Sequence, residues 1–423
     1  MVLKCRGNWQ QRFFLAFVAF LILFFPSLTM IFLGQSSFTL GIVIAAVCTI
    51  SLFCLRLLLS GRLIYDKKTV LAFLLILGCT LFIFTHIFFV VLNLPMSLEI
   101  DNGRFFFSFL CLILVFLGAF LSALYLKFHA RSETLVSIIN VCAIILLLNG
   151  LISLTKIDFF SSGSSKPTFL FLEPSHFALV VTPFLLYFCL TLSRVKALCL
   201  LTLVASWAGY IQNLTLLFGV VLAFLVSTRQ NLLIAGSFFT LFIFILISVF
   251  GADNFSYFTD RLSLSGDNDN LSVLVLFQGW QNAIETLTTQ SYFGGGFQQF
   301  GITTVYGSVS SKLYTLLGIN INQFDGGATA PKIVGEFGVF GIFFLLVYLF
   351  FYSKVFIKLR RIRRKSVSRV DVFFYAIFMS SFLEFFIRGV GYFSPLMYLF
   401  LISAFYFFVK NKNARLELNE INS

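Results

Sequence analysis

Charge is what this chain has least of. Only 11% of its 423 residues are Asp, Glu, Lys or Arg, against 59% hydrophobic, and the mean hydropathy is +0.98. A soluble domain of this length could not stay dispersed with so little charge. Histidine is nearly absent, at three residues, and the eight cysteines include no Cys-x-x-Cys pair and no metal-ligand spacing. That argues against a zinc centre and a structural disulfide framework. No Gly-Lys-Ser/Thr follows any glycine run, so no P-loop is present. Asp267-Asn268-Asp269 spells Asp-x-Asp, but it sits among turn residues with no nucleotide-binding fold behind it. No metal and no cofactor are expected.

What is abundant is long apolar sequence. A bilayer crossing needs about 20 mostly apolar residues. Segments 13–33, 38–55, 70–92, 105–126, 134–154, 177–192, 232–250, 333–352, 372–387 and 393–408 fit that requirement, some of them short or carrying one polar group. Segment 195–226 is too long for one crossing, and Gly209 with Gln212-Asn213 divides it into two short ones joined by a tight turn. The expected fold is therefore all-α, a polytopic membrane protein of about twelve spans, since lipid offers no partner for an unpaired backbone group. The 60 phenylalanines suit a lipid-facing surface. No small-residue cleavage site follows the first apolar run, which reads as a retained helix.

Four regions follow. Residues 1–250 form a membrane bundle of about nine spans, 251–332 one large polar loop, 333–409 the last three spans, and 410–423 a tail. With both termini on one side, most of the 30 basic residues fall in the connections on that side, including the cluster from Lys358 to Lys365. The opposite side keeps Arg104, Lys156, Lys166, Arg261, Lys312, Lys332 and Arg388. Such an asymmetry places the termini in the cytoplasm and the loop outside. The basic cluster then anchors on anionic membrane lipid, and the net charge of +13 is no sign of a nucleic-acid partner.

Three motifs on the loop side can carry chemistry. In Glu173-Pro174-Ser175-His176 the proline suits a first helical turn, the carboxylate sits at the positive helix end, and the imidazole follows within one turn. A carboxylate and an imidazole so placed can take a proton from a hydroxyl nucleophile; the plainer alternative is a helix cap beside an interfacial histidine. In the loop, 271–288 with Trp280 reads as an amphipathic helix near the interface, ending at Gly294-Gly295-Gly296. That triplet could let backbone N–H groups approach an anion. The third motif, Gly335-Glu336-Phe337-Gly338-Val339-Phe340-Gly341, puts Glu336 about one turn inside the membrane edge, four residues after Lys332. Near the end of the next span Glu384 and Arg388 are also four apart, either a structural ion pair or an anion contact through Arg388.

In layout and in these three motifs the whole chain resembles the bacterial O-antigen polymerases (Wzy-type), within the wider O-antigen ligase-like superfamily. The resemblance implies a membrane glycosyltransferase at the periplasmic face of the inner membrane. It would join oligosaccharide repeat units carried on undecaprenyl pyrophosphate, without nucleotide sugar or obligatory metal. A chain-length regulator is a partner the resemblance allows. Two positions depart from ligase-like members: Leu276 stands where an Arg one turn before the loop Trp is common, and Gly327 stands where ligases place a His. The second departure favours a polymerase over a ligase. On this reading Glu173 and His176 handle the acceptor proton, Arg261, Arg388, Lys312 and Lys332 meet the pyrophosphate, and Gly294, Gly295, Gly296 and Glu336 contact substrate. A lipid-linked oligosaccharide flippase and a ligase are the alternatives.

Overall fold

In a computed structural model of the chain, residues 2–60, 66–93, 99–160, 166–228, 270–304, 306–319, 321–361 and 367–410 are described. They contain no β-strand, only an isolated bridge between Thr168 and Phe171. The helices are α1 (Val2–Leu23), α2 (Phe25–Leu33), α3 (Thr39–Ser60), α4 (Lys67–Asn93), α5 (Asn102–Phe128), α6 (Ser132–Ser153), α7 (Pro174–Thr191), α8 (Arg194–Tyr210), α9 (Leu214–Ser227), α10 (Leu271–Thr289), α11 (Ser308–Leu317), α12 (Thr329–Arg361), α13 (Arg369–Phe386) and α14 (Pro395–Val409).

Six of these are long and apolar enough to cross a membrane: α3 to α7 and α12. A seventh is made if α1 and α2, bent by 50° at their junction, are taken as one span. Pro26 lies in the first turn of α2, where its missing N–H and fixed φ end one helix and start the next. The apolar helices α9 and α14 are shorter, and α13 carries Arg369, Asp371 and Glu384. The expected span at 232–250 and the start of the large loop, Arg261 included, lie outside the described residues. The turn expected near Gly209 falls at 211–213, between α8 and α9. There the Asn213 side chain accepts from Leu216 N at 3.1 Å and so caps α9.

The centre of the bundle is α7, the most buried of the long apolar helices, packed by α8, α9 and α13. Helix α14 lies against α5 and α13, α3 packs on α2 and α5, and α10 covers the start of α12. Helix α4 is the most exposed of the long helices and buries one face only.

Polar contacts mark two ends. At one, Asp66 caps α4 through Thr69 N and pairs with Lys127 at 2.8 Å, Lys68 donates to Lys410 O, Gln11 donates to His129 O, and Lys410 meets Asp371. Burial alone would raise the Asp66 carboxyl, but the hydrogen bonds from Lys127 and Thr69 outweigh it and bring it down to about 2. At the other end, the starts of α5, α7, α12 and α14 meet the close of α13 and the loop 290–304. Gln299 grips Asp101 by accepting from its N–H at 2.9 Å and donating to its carbonyl at 3.1 Å.

Candidate functional site

The site is built from short segments that lead into or out of helices at this second end. Before α7 the chain makes a tight turn at 168–171, with Phe169 at φ 55, a conformation that a bulky residue adopts only under constraint. The constraint is visible. Thr168 Oγ1 donates to Phe171 O at 2.5 Å, and Leu170 N donates to the side chain of Asn149 on α6 at 2.9 Å. Glu173 then occupies the N-cap position of α7 in extended backbone, and Pro174 opens the helix.

Three groups converge on one oxygen of Glu173. Ser175 Oγ donates to Oε2 at 3.0 Å, Arg388 Nη2 lies 3.4 Å from it, and His176 Nε2 lies 3.9 Å from it. Burial alone would raise this carboxyl; His176 and Arg388, with the hydrogen bonds from Ser175 and Arg388, outweigh it, and the net direction is down. The helix N-terminus favours the same ionised form. The Glu173 side chain is 44% exposed and that of Arg388 24%, so both can reach a ligand arriving from solvent. His176 is buried edge-on against Phe38, with ring centroids 4.6 Å apart. Its Nδ1 has no hydrogen-bond partner among the described residues.

Arg388 reaches Glu173 because α13 ends at Phe386. Beyond that point the helical register no longer sets where a side chain lies, so the four-residue ion pair with Glu384, one of the two readings the sequence left open, does not form. Glu384 is fully buried and accepts from Val390 N at 3.1 Å instead. Its second oxygen has no partner among the described residues.

The same 387–394 segment carries a second cluster, buried at Lys332 and Glu336. Tyr392 donates its hydroxyl to Glu336 Oε2 at 2.8 Å. Lys332 is 2% exposed, donates to Phe324 O at 2.8 Å and to Gln298 Oε1 at 3.4 Å, and lies 3.6 Å from Asp325. Its ammonium also faces the Tyr392 ring at 5.4 Å. Lys332 thus turns to loop partners in place of the expected helical pairing with Glu336, which is completely buried. Gly391 sits between the clusters at φ 86, and a Cβ there would lie 3.3 Å from Asp325 Oδ1 and 3.7 Å from Lys332 Nζ.

The glycine triplet and the third motif form one object. Helix α12 breaks at Gly338, which has φ 58 and ψ −130. The break frees the carbonyls of Gly335 and Glu336 and the N–H of Val339. Loop 292–296 takes up all three. Gly295 N donates to Gly335 O at 2.7 Å, Gly296 N to Glu336 O at 2.9 Å, and Val339 N to Tyr292 O at 3.0 Å. A broken helix in an apolar surround needs such replacement partners. His86 on α4 pins the same loop, its Nε2 3.1 Å from Phe293 O. The N–H groups of Gly295 and Gly296, offered by the sequence as an anion cradle, are thus spent on α12. Gly294 lies against the break itself, where a Cβ would come 2.6 Å from Gly338 N.

Glu173, His176 and Arg388 are therefore brought together. Lys332 and Glu336 share the adjoining buried cluster. Arg261 lies outside the described residues, and Lys312 stands half-buried on α11, a helix that packs on α10. Helix α10 spans the expected 271–288 and is capped by Asn270 through Ser272 N. Sequence reasoning missed Tyr392, Asp325, Gln298 and His86. Their only signal is polarity beside a glycine or inside an apolar run. No three His, Cys, Asp or Glu side chains gather among the described residues. Comparison with family models, with curated proteins and with solved structures finds no match.

Proposed function

We propose that this chain is a bacterial inner-membrane glycosyltransferase of the O-antigen polymerase type. It joins oligosaccharide repeat units carried on undecaprenyl pyrophosphate at the extracytoplasmic face, with about twelve spans and both termini inside. The observation that carries the reading is the half-open contact of Arg388 with Glu173, beside His176, at one end of an apolar helical bundle.

In the reaction the acceptor hydroxyl forms a bond to the anomeric carbon of the growing chain as that carbon's bond to the pyrophosphate oxygen breaks. The electron pair leaves with undecaprenyl pyrophosphate, and the hydroxyl proton passes to a base. A guanidinium matches phosphate with parallel N–H donors, and a fixed cation at the leaving group stabilises the transition state more than the ground state. On this reading Arg388 takes that role. Its 3.4 Å contact with Glu173 is longer than the 2.7–2.9 Å of a tight charge-assisted bond. An arriving diphosphate can therefore draw it away. Glu173 then loses a cation, its proton affinity rises, and it becomes a better base at the moment the acceptor is bound. His176, 3.9 Å away, orients the carboxylate or takes the proton onward. Lys332 keeps its loop partners and steadies the neighbouring wall, and Arg261 and Lys312 are second cations for the diphosphate.

A strain lacking the gene tests the class of reaction on a gel of surface polysaccharide. A polymerase null leaves single repeat units capped on the cell surface. A flippase null leaves none, and a ligase null accumulates long lipid-linked polymer in the envelope; either pattern overturns the proposal. Reporter fusions in 251–332 that read out as cytosolic would also remove it, because the enzyme could not meet its substrates.

A further inference from the structure

The opposite, basic end of the bundle holds a feature that the proposed reaction does not use. A cavity of about 100 Å³ lies among α1, α3, α5, α6, α7, α13 and α14. Its wall is almost wholly apolar, with Leu15, Ile22, Ile139, Phe373 and Ile377 among its lining. The hydroxyl in that wall, Ser122, already donates to Gly118 O at 2.7 Å. A cavity without free polar partners does not hold water well and suits a hydrocarbon guest.

Three arginines stand three or four residues before lining positions, two on helices and one at a helix N-cap. Arg12 precedes the lining residue Leu15 by three positions on α1. Arg131 precedes Leu135 by four at the start of α6, and Arg369 precedes Phe373 by four at the start of α13. Residues three or four apart share a helix face, which sets Arg12 and Arg369 beside the lining, and Arg131, the N-cap of α6, stands at the start of the helix that carries Leu135. Helix α6 packs against both α1 and α13, so the three positions surround one region. Gln11, next to Arg12, donates to His129 O at the close of α5, which fixes that end of α1 beside the others. All three arginines are exposed, and none forms an ion pair among the described residues. Of the acids close by, Asp371 is taken by Lys410 and Tyr406, and Glu133 lies two residues from Arg131, on another face of α6.

An apolar slot in a bilayer beneath three cations matches a molecule with a hydrocarbon tail and an anionic head. We propose that this cavity is a binding site for an anionic glycerophospholipid, with one acyl chain between α1, α6 and α13 and the phosphate met by Arg12, Arg131 and Arg369. The site is separate from the Glu173–Arg388 cluster and does not depend on the reaction proposed there. Its phospholipid would brace the gap between helices that lack a packed partner at this depth.

Native mass spectrometry of the full chain, delipidated in detergent, tests the site. Phosphatidylglycerol, phosphatidylcholine with the same acyl chains, and undecaprenyl phosphate are offered separately at equal concentration. The wild type should retain one phosphatidylglycerol at least about tenfold better than phosphatidylcholine, as three cations near a headgroup imply. Combined Arg12→Gln, Arg131→Gln and Arg369→Gln should erase that preference. These positions are exposed, so the variant is expected to fold. Ala19→Phe, which fills the cavity, should lower retention of phosphatidylglycerol by about tenfold. Equal retention of the two phospholipids by the wild type overturns the proposal. So does a preference that survives the triple substitution, or tighter retention of undecaprenyl phosphate, which would make the occupant a polyprenyl carrier.

Discussion

The two charge clusters either side of segment 387–394 differ in what they hide. Glu173 and Arg388 are half-open and touch at 3.4 Å. Lys332 and Glu336 are sealed, with Glu336 wholly buried and Lys332 held by a carbonyl, an amide and the half-exposed Asp325, while Tyr392 is half-buried. Buried charge is costly to leave unpaired, whereas an exposed pair is worth little to stability. On the proposed reading the closed cluster belongs to the scaffold and the open one to the chemistry, although both have a carboxylate facing a cation.

Breaking the closed cluster should have the largest effect. Lys332→Ala leaves the Phe324 carbonyl and the Gln298 side-chain oxygen without their donor and Asp325 without its cation, and is expected to cost about 1–3 kcal/mol for each acceptor left unpaired. The protein should then be lost from membranes, or melt far earlier in detergent. Adding Asp325→Asn should recover the part of that loss that comes from its unpaired charge. If Lys332→Ala instead leaves stability intact, the distinction between the clusters fails.

Arg388→Ala should act the other way. Activity falls about 10²–10³-fold, as for other fixed donors at a developing negative charge. Stability changes by less than about 1 kcal/mol, because the pair is partly exposed. A melting curve and a polymerisation assay on the same preparation separate the two effects.

Gly338→Ala probes the joint that positions Glu336. A Cβ would lie 2.0 Å from Tyr292 O at a backbone geometry hostile to L residues. Backbone strain alone is expected to cost about 1–3 kcal/mol. The measurable consequence is lower thermal stability, with faster hydrogen exchange at Gly295 and Gly296.

The pH dependence sharpens the comparison further. Glu173 is held below its ordinary value, so its share of folded-state stability is present above the unfolded carboxyl range. It is lost only as pH falls through the lower folded value. Arg388→Gln removes one of the groups that lower it. The variant's carboxyl should therefore titrate at higher pH than the wild type's, read from the infrared carboxylate band. An unchanged titration would mean that the guanidinium does not govern Glu173.

The smallest effect is expected at the far end. Asp66 and Lys127 form a partly buried pair at 2.8 Å, and Lys127→Met should cost about 1 kcal/mol in thermal melts with polymerisation unchanged.

The sequence makes the all-α class plain, because long apolar runs leave the backbone no other way to satisfy itself. It also marks Glu173, His176 and Arg388 as unusual, since polar groups at the edges of apolar runs stand out. What it does not carry is pairing. Glu384 and Arg388 are four apart, yet the helix ends between them, and Arg388 crosses to a residue 215 positions away. The glycine triplet is legible as a place of close backbone approach. Its partner is not, because the break at Gly338 is a tertiary event that needs the loop to stabilise it. Tyr392 and Gln298 look ordinary until the fold places them against Glu336 and Lys332.

The most direct measurement is the surface-polysaccharide ladder of a null strain carrying Arg388→Ala, with the protein's membrane level checked by immunoblot. The account predicts single capped repeats at a normal protein level. A full-length ladder at that same level contradicts it.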